Sequence, residues 1–175
     1  MLSHVYQMGS ADNAANAAVD AANNYLWRFN RRRLDAEEIR DAMLAVSGAL
    51  ESNVDGPHPF PPENLWRYSQ HNPFVATYEH NGRGVYLMQQ RIRAHPQLSI
   101  FDGADTNTAT GERVLSTTPL QALFMLNDPF AHKQADNFAV RVGLAFADDA
   151  KRVDYAYRLA FGRQPTPAEV RKSLE

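Results

Sequence analysis

Cysteine is absent from the 175 residues. That excludes disulfides, thiolate zinc sites, iron–sulfur ligation and the C-x-x-C-H attachment of haem. It leaves the compartment open, because an exported protein need not carry disulfides. No apolar run reaches the length of a membrane span. Met1-Leu2-Ser3-His4-Val5-Tyr6 has neither the basic start nor the long apolar stretch of a signal peptide. An excess of one charge is lacking too: the net charge is −2 at pH 7, so no long-range field draws in nucleic acid or an anionic membrane. The six histidines form no H-E-x-x-H and no helical pair, and no Gly-x-Ser-x-Gly elbow surrounds Ser47 or Ser116. No internal repeat is visible, and both ends read as cut from something longer.

An ordinary apolar fraction of 44% and this length suit one domain, residues 1–175, able to bury a core without staples. Residues 13–24, rich in Ala and Asn, read as a weak helix or connector. The first clear helix starts at Asp35, with Glu38 completing a capping box, and ends at Gly48. Ile39, Met43, Val46 and Leu50 share its expected inner face. Pro57, Pro59, Pro61 and Pro62 make residues 52–63 a loop. Residues 74–78 and 84–88 flank His80-Asn81-Gly82-Arg83 and predict a short antiparallel hairpin, since Asn-Gly accepts the positive φ of a tight turn. Residues 95–112 read as an irregular acidic loop. Helices are then expected from Thr118-Pro119, Asp128-Pro129 and Thr166-Pro167, where a capping oxygen followed by proline suits a helix start, and from Asp149. Leu120, Leu123, Phe124 and Asn127 are expected to line one face of the first of these, and Phe130, Ala135, Phe138, Val142 and Ala145 fall at helical spacing on the second. The expected fold is mainly α, several short packed helices with one small antiparallel β-hairpin.

Several strings occur in one order along the chain: Arg31-Arg32-Arg33-Leu34-Asp35-Ala36-Glu37, Gly84-Val85-Tyr86-Leu87, Phe101-Asp102-Gly103-Ala104-Asp105, Thr117-Thr118-Pro119-Leu120-Gln121-Ala122-Leu123 and Tyr157-Arg158-Leu159-Ala160-Phe161-Gly162-Arg163. Together they resemble the planctomycete cytochrome-associated PSD-one domain, a domain of unknown function, in its C-terminal part. Asp20-Ala21-Ala22-Asn23 stands where the family usually has Asp-Pro-x-Asn, and Arg83-Gly84 where it usually has two arginines. The resemblance implies an extracytoplasmic home and upstream domains in the same polypeptide as partners. Haem would belong to such an upstream domain and no cofactor to this chain. It implies no known activity.

The most suggestive side chains are Asp102 and Asp105. With Asn107 they offer oxygens for a hard cation, although the spacing is not that of an EF-hand loop. With Arg113 the two acids are candidate catalytic groups, since neighbouring carboxylates split their pKa values. The simpler reading is that they cap backbone amides in a turn. An arginine within reach of Asp102 or Asp105 is expected. Arg31-Arg32-Arg33 offers phosphate contacts, or pairs with the acids of the following helix, or supplies one buried arginine that ties down a loop. His80 or His95 beside Asp102 is a composite alternative. Trp27, Trp66, Tyr68, Tyr78 and Tyr86 form either a sugar-stacking platform or core. Two functions follow: a structural or interaction module of a larger exported protein, or a carbohydrate-active hydrolase or lyase, or its polysaccharide-binding part, with the acidic loop as its site.

Overall fold

A computed structural model of the protein describes residues 2–53, 64, 79–91 and 94–175. The chain divides into two compact units, Met1–Arg33 and Leu34–Glu175.

The first unit carries a short helix α1, Ala14–Val19, whose first-turn amides of Ala15 and Asn16 donate to the Asn13 side chain. Its buried residues among those described are polar, Asp20 and Asn23. The Asp20 carboxylate accepts the amides of Asn24 (3.0 Å) and Tyr25 (2.8 Å), and its carbonyl accepts Trp27 Nε1–H at 2.9 Å. Asn23, at φ 57°, donates from Nδ2 to Arg28 O at 2.7 Å and accepts the Arg28 amide at 3.2 Å. Asparagine tolerates the left-handed region better than most residues. Asp20 and Asn23 thus knot the aromatic loop without the proline that the resemblance would place between them.

The second unit is helical: α2 Ala36–Ser47, α3 Pro96–Ile100, α4 Pro119–Asn127, α5 Pro129–Ala145, α6 Asp149–Phe161 and α7 Pro167–Leu174. The starts follow from local chemistry. The Glu38 side chain accepts the Asp35 amide at 2.9 Å, and that of Gln121 accepts the Thr118 amide at 3.2 Å, each in a capping box. Asp128 accepts the Phe130 amide at 2.8 Å, and Thr166 Oγ accepts the Glu169 amide at 3.3 Å. Gly48 (φ 83°) and Gly162 (φ 66°) end α2 and α6 in the left-handed conformation. The cap of α6 is Asp148, not Asp149. The neighbouring carboxylate lies in the first turn and pairs with Arg152 at 2.6 Å.

The core joins Ala36 of α2, Leu87, Leu98 and Phe101 after α3, Phe124 of α4 and Ala131 of α5, flanked by Ile39, Met43, Ile100 and Phe130. Phe101 and Phe124 meet edge to face, with centroids 5.4 Å apart. α2 packs along α5, where Ser47 Oγ donates to Gln134 Oε1 at 2.8 Å. Arg141 donates to Ala45 O (2.8 Å) and Val46 O (2.7 Å), placing a cation on the carbonyl end of α2.

Three expectations need correction. No β-strand occurs among the described residues. The predicted first strand, 74–78, lies outside them, and Gly84–Tyr86, within the expected second strand, is a 3-10 helix. Residues 80–84 are tied to α2 instead. Arg40 donates to the carbonyls of Gly82 (2.9 Å) and His80, and Asp41 Oδ1 accepts the Gly84 amide at 2.6 Å. Second, the deepest residues of α2 are Ala36, Arg40, Leu44 and Ser47, with Ile39, Met43 and Val46 half-buried beside them. Third, Leu120 and Leu123 face solvent, while Gln121 and Phe124 are buried.

Candidate functional site

The acidic loop is built from the end of α3. Phe101 closes that helix, and Gly103 N–H reaches back to Leu98 O at 2.7 Å. Asp102 between them takes φ 61°, the left-handed residue of a Schellman turn. Gly103 is required by contact: a Cβ there would lie 2.7 Å from Leu98 O. The Asp102 carboxylate accepts the Ser116 amide at 2.9 Å and the Ser116 hydroxyl at 2.7 Å, and the Gln121 amide lies at 3.4 Å. Asp105 accepts the backbone amide (2.9 Å) and side-chain amide (3.2 Å) of Asn107, while the Thr108 hydroxyl lies at 3.4 Å. The Asn107 amide hydrogen bond holds the Asp105 carboxyl below its usual value. Asn107 also donates to Arg91 O at 2.9 Å.

Arg113 turns away from these acids. Its fork grips Glu37 of α2 through Nη1 (2.5 Å) and Nη2 (3.0 Å). That bidentate bond lowers the Glu37 pKa and raises that of Arg113. Among the described residues no group of three or more His, Cys, Asp and Glu side chains is placed to hold a metal ion. Trp66, Tyr68, Tyr78, His58 and His71 lie outside the described residues.

A second constellation assembles around Arg40 of α2. A cleft of about 760 Å³ is lined by Arg40, Glu79, His95, Gln97, Phe124 and Phe130, with His80 and Lys133 among its other walls. Arg40 is 1% exposed. Its two outer nitrogens hold the loop carbonyls of Gly82 and His80, its guanidinium carbon stands 5.3 Å from the Phe130 ring centre, and Glu79 Oε2 lies 3.9 Å away. Burial pulls the Arg40 pKa down from its ordinary value. His95 Nε2 meets Glu79 Oε1 at 3.1 Å. This hydrogen bond is the main cause of the lowered Glu79 pKa.

Among the described residues, Arg40 Nε, His95 Nδ1 and Gln97 Nε2 are buried without a hydrogen-bond partner. Such atoms cost roughly 1–3 kcal/mol each, and folded proteins keep few of them.

The histidines singled out in the sequence therefore do converge, but around Glu79 and Arg40 rather than Asp102. Glu79 and Gln97 carried no motif. Arg40 could have been found, since it falls between Ala36 and Leu44 on the buried stripe of α2. The anticipated loop-tying arginine is this residue, outside the Arg31–Arg33 run. A Cβ at Gly84 would stand 3.1 Å from Glu37 Cβ, tighter than an ordinary contact.

No curated protein and no solved structure matches the chain. The profile of one family, PSD1, described as a protein of unknown function (DUF1553), matches residues 1–175. A match over that whole span establishes membership: the chain belongs to the PSD1 (DUF1553) family.

Proposed function

We propose that this chain is an interaction module of a larger polypeptide, docking onto upstream domains through the apolar surface of α4 and the helices after it. The observation that carries this reading is the stripe Leu120, Leu123 and Leu126 on α4, exposed by 66%, 51% and 67%. Val114 and Leu115 just before it, and Leu144 and Phe161 beyond it, are exposed too. α6 and α7 contain no fully buried residue. A folded unit rarely leaves so many large apolar side chains in water unless a partner covers them. The acidic loop supports the same reading, because Asp102 and Asp105 spend their oxygens on Ser116 and Asn107. An extracytoplasmic setting and a haem-bearing neighbour belong to this proposal on the strength of the resemblance alone.

Hydrogen–deuterium exchange tests it. Residues 119–127 exchange more slowly in the full polypeptide than in this chain alone, and Leu123→Asp in the full polypeptide removes that protection. Equal exchange in both forms refutes the reading.

A further inference from the structure

We propose that the cleft beside α2 binds a small hydroxylated carboxylate, a hydroxy acid or sugar acid, through Arg40, Gln97 and His95. The identity of the ligand follows from which polar atoms are left over. Arg40 and Gln97 each present a buried N–H with no acceptor. On His95, Nε2 faces the Glu79 carboxylate at 3.1 Å. A carboxylate only accepts, so Nε2 carries a proton, while Nδ1 has no hydrogen-bond partner among the described residues. Two donors, one of them on the guanidinium itself, call for an anionic oxygen pair, and the open ring nitrogen calls for a hydroxyl, which can donate or accept. A hydroxylated carboxylate supplies both.

Among the charged walls, Lys133 favours an anion; of the three carboxylates, Glu79 is engaged by His95 and Asp128 by the Phe130 amide, leaving Glu51. Arg40 is a buried cation whose nearest carboxylate oxygen among the described residues, on Glu79, stands 3.9 Å off, outside hydrogen-bond range. A ligand carboxylate would complete its pairing. Phe124, Phe130 and Ile100 offer an apolar wall for carbon–hydrogen faces, and about 760 Å³ holds a ligand larger than acetate. The unpartnered atoms are closed to water as they stand, so binding is accompanied by a local opening of the cleft. This site is separate from the exposed stripe of α4, and its failure would leave the docking proposal untouched.

Calorimetric titration of the intact protein with D-glucuronate, D-glucose and acetate tests the assignment. D-glucuronate is expected to bind saturably and at least tenfold more tightly than D-glucose, which lacks the anion, or acetate, which lacks the hydroxyls. Gln97→Leu removes an unpartnered donor, so it should weaken D-glucuronate at least tenfold without lowering the melting temperature. A purely structural Gln97 would show the opposite pattern, with stability lost and the titration unchanged in the folded fraction. No saturable binding of D-glucuronate by the unmodified protein, equal binding of D-glucose, or binding unaffected by Gln97→Leu would each overturn the proposal.

Discussion

Asp102 offers the sharpest test of how the acidic loop is held, because hydrogen bonding and backbone strain can be separated there. Its carboxylate accepts two bonds from Ser116, at 2.9 and 2.7 Å, and its backbone sits at φ 61°. Asparagine keeps one acceptor and tolerates the left-handed region, so Asp102→Asn should cost about 1–2 kcal/mol. Glycine relieves the backbone but forfeits both bonds, so Asp102→Gly should cost about 2–3 kcal/mol. Alanine forfeits both bonds and adds left-handed strain of about 1 kcal/mol, so Asp102→Ala should cost about 3–4 kcal/mol. The expected order of stability is therefore Asp, Asn, Gly, Ala. Urea denaturation followed by far-ultraviolet circular dichroism reads it directly, with the midpoint falling and the slope unchanged. An alanine variant as stable as the glycine variant would refute the assignment of strain to this position. An asparagine variant as unstable as alanine would refute the hydrogen-bond account.

Two further tests concern contacts distant in sequence. Gly103→Ala drives a Cβ to within 2.7 Å of a backbone oxygen, whereas Gly84→Ala brings one to 3.1 Å from the Glu37 side chain. Thermal melts should show the first as clearly destabilising, by about 2–3 kcal/mol, and the second by about 1 kcal/mol, in keeping with the cost of overpacking. The Glu37–Arg113 pair makes stability pH-dependent. Because the fork lowers the Glu37 pKa from 4.5, its contribution is fully present above that value and is lost as pH falls through the lowered folded pKa. Urea midpoints measured from neutral to acidic pH should decline less steeply in Arg113→Gln than in the unmodified protein; parallel curves would contradict the pairing.

What the sequence by itself determined is what short-range chemistry controls. Asp35 with Glu38, Thr118 with Gln121, Asp128 with Pro129 and Thr166 with Glu169 mark helix starts, and Gly48 and Gly162 mark ends, because each cap involves residues within one turn. Even α3, missed inside the acidic loop, carries a local signal in Pro96 at its first position. The mainly α class and the family strings were legible for the same reason. Only the tertiary structure decided what residues 80–86 do. Asn-Gly flanked by apolar segments favours a hairpin locally, yet Arg40 and Asp41, about forty positions earlier, tie this segment to α2 through the Gly82 carbonyl and the Gly84 amide. The cleft was hidden likewise, since His95 meets Glu79 across 16 positions and Glu79 meets Arg40 only after α2 has docked. Arg113 and Glu37 are 76 positions apart. A charge buried on an apolar helix face reads from sequence as a break in the pattern. Its burial becomes tolerable only when distant carbonyls and a carboxylate arrive to receive it, and no local propensity encodes their arrival.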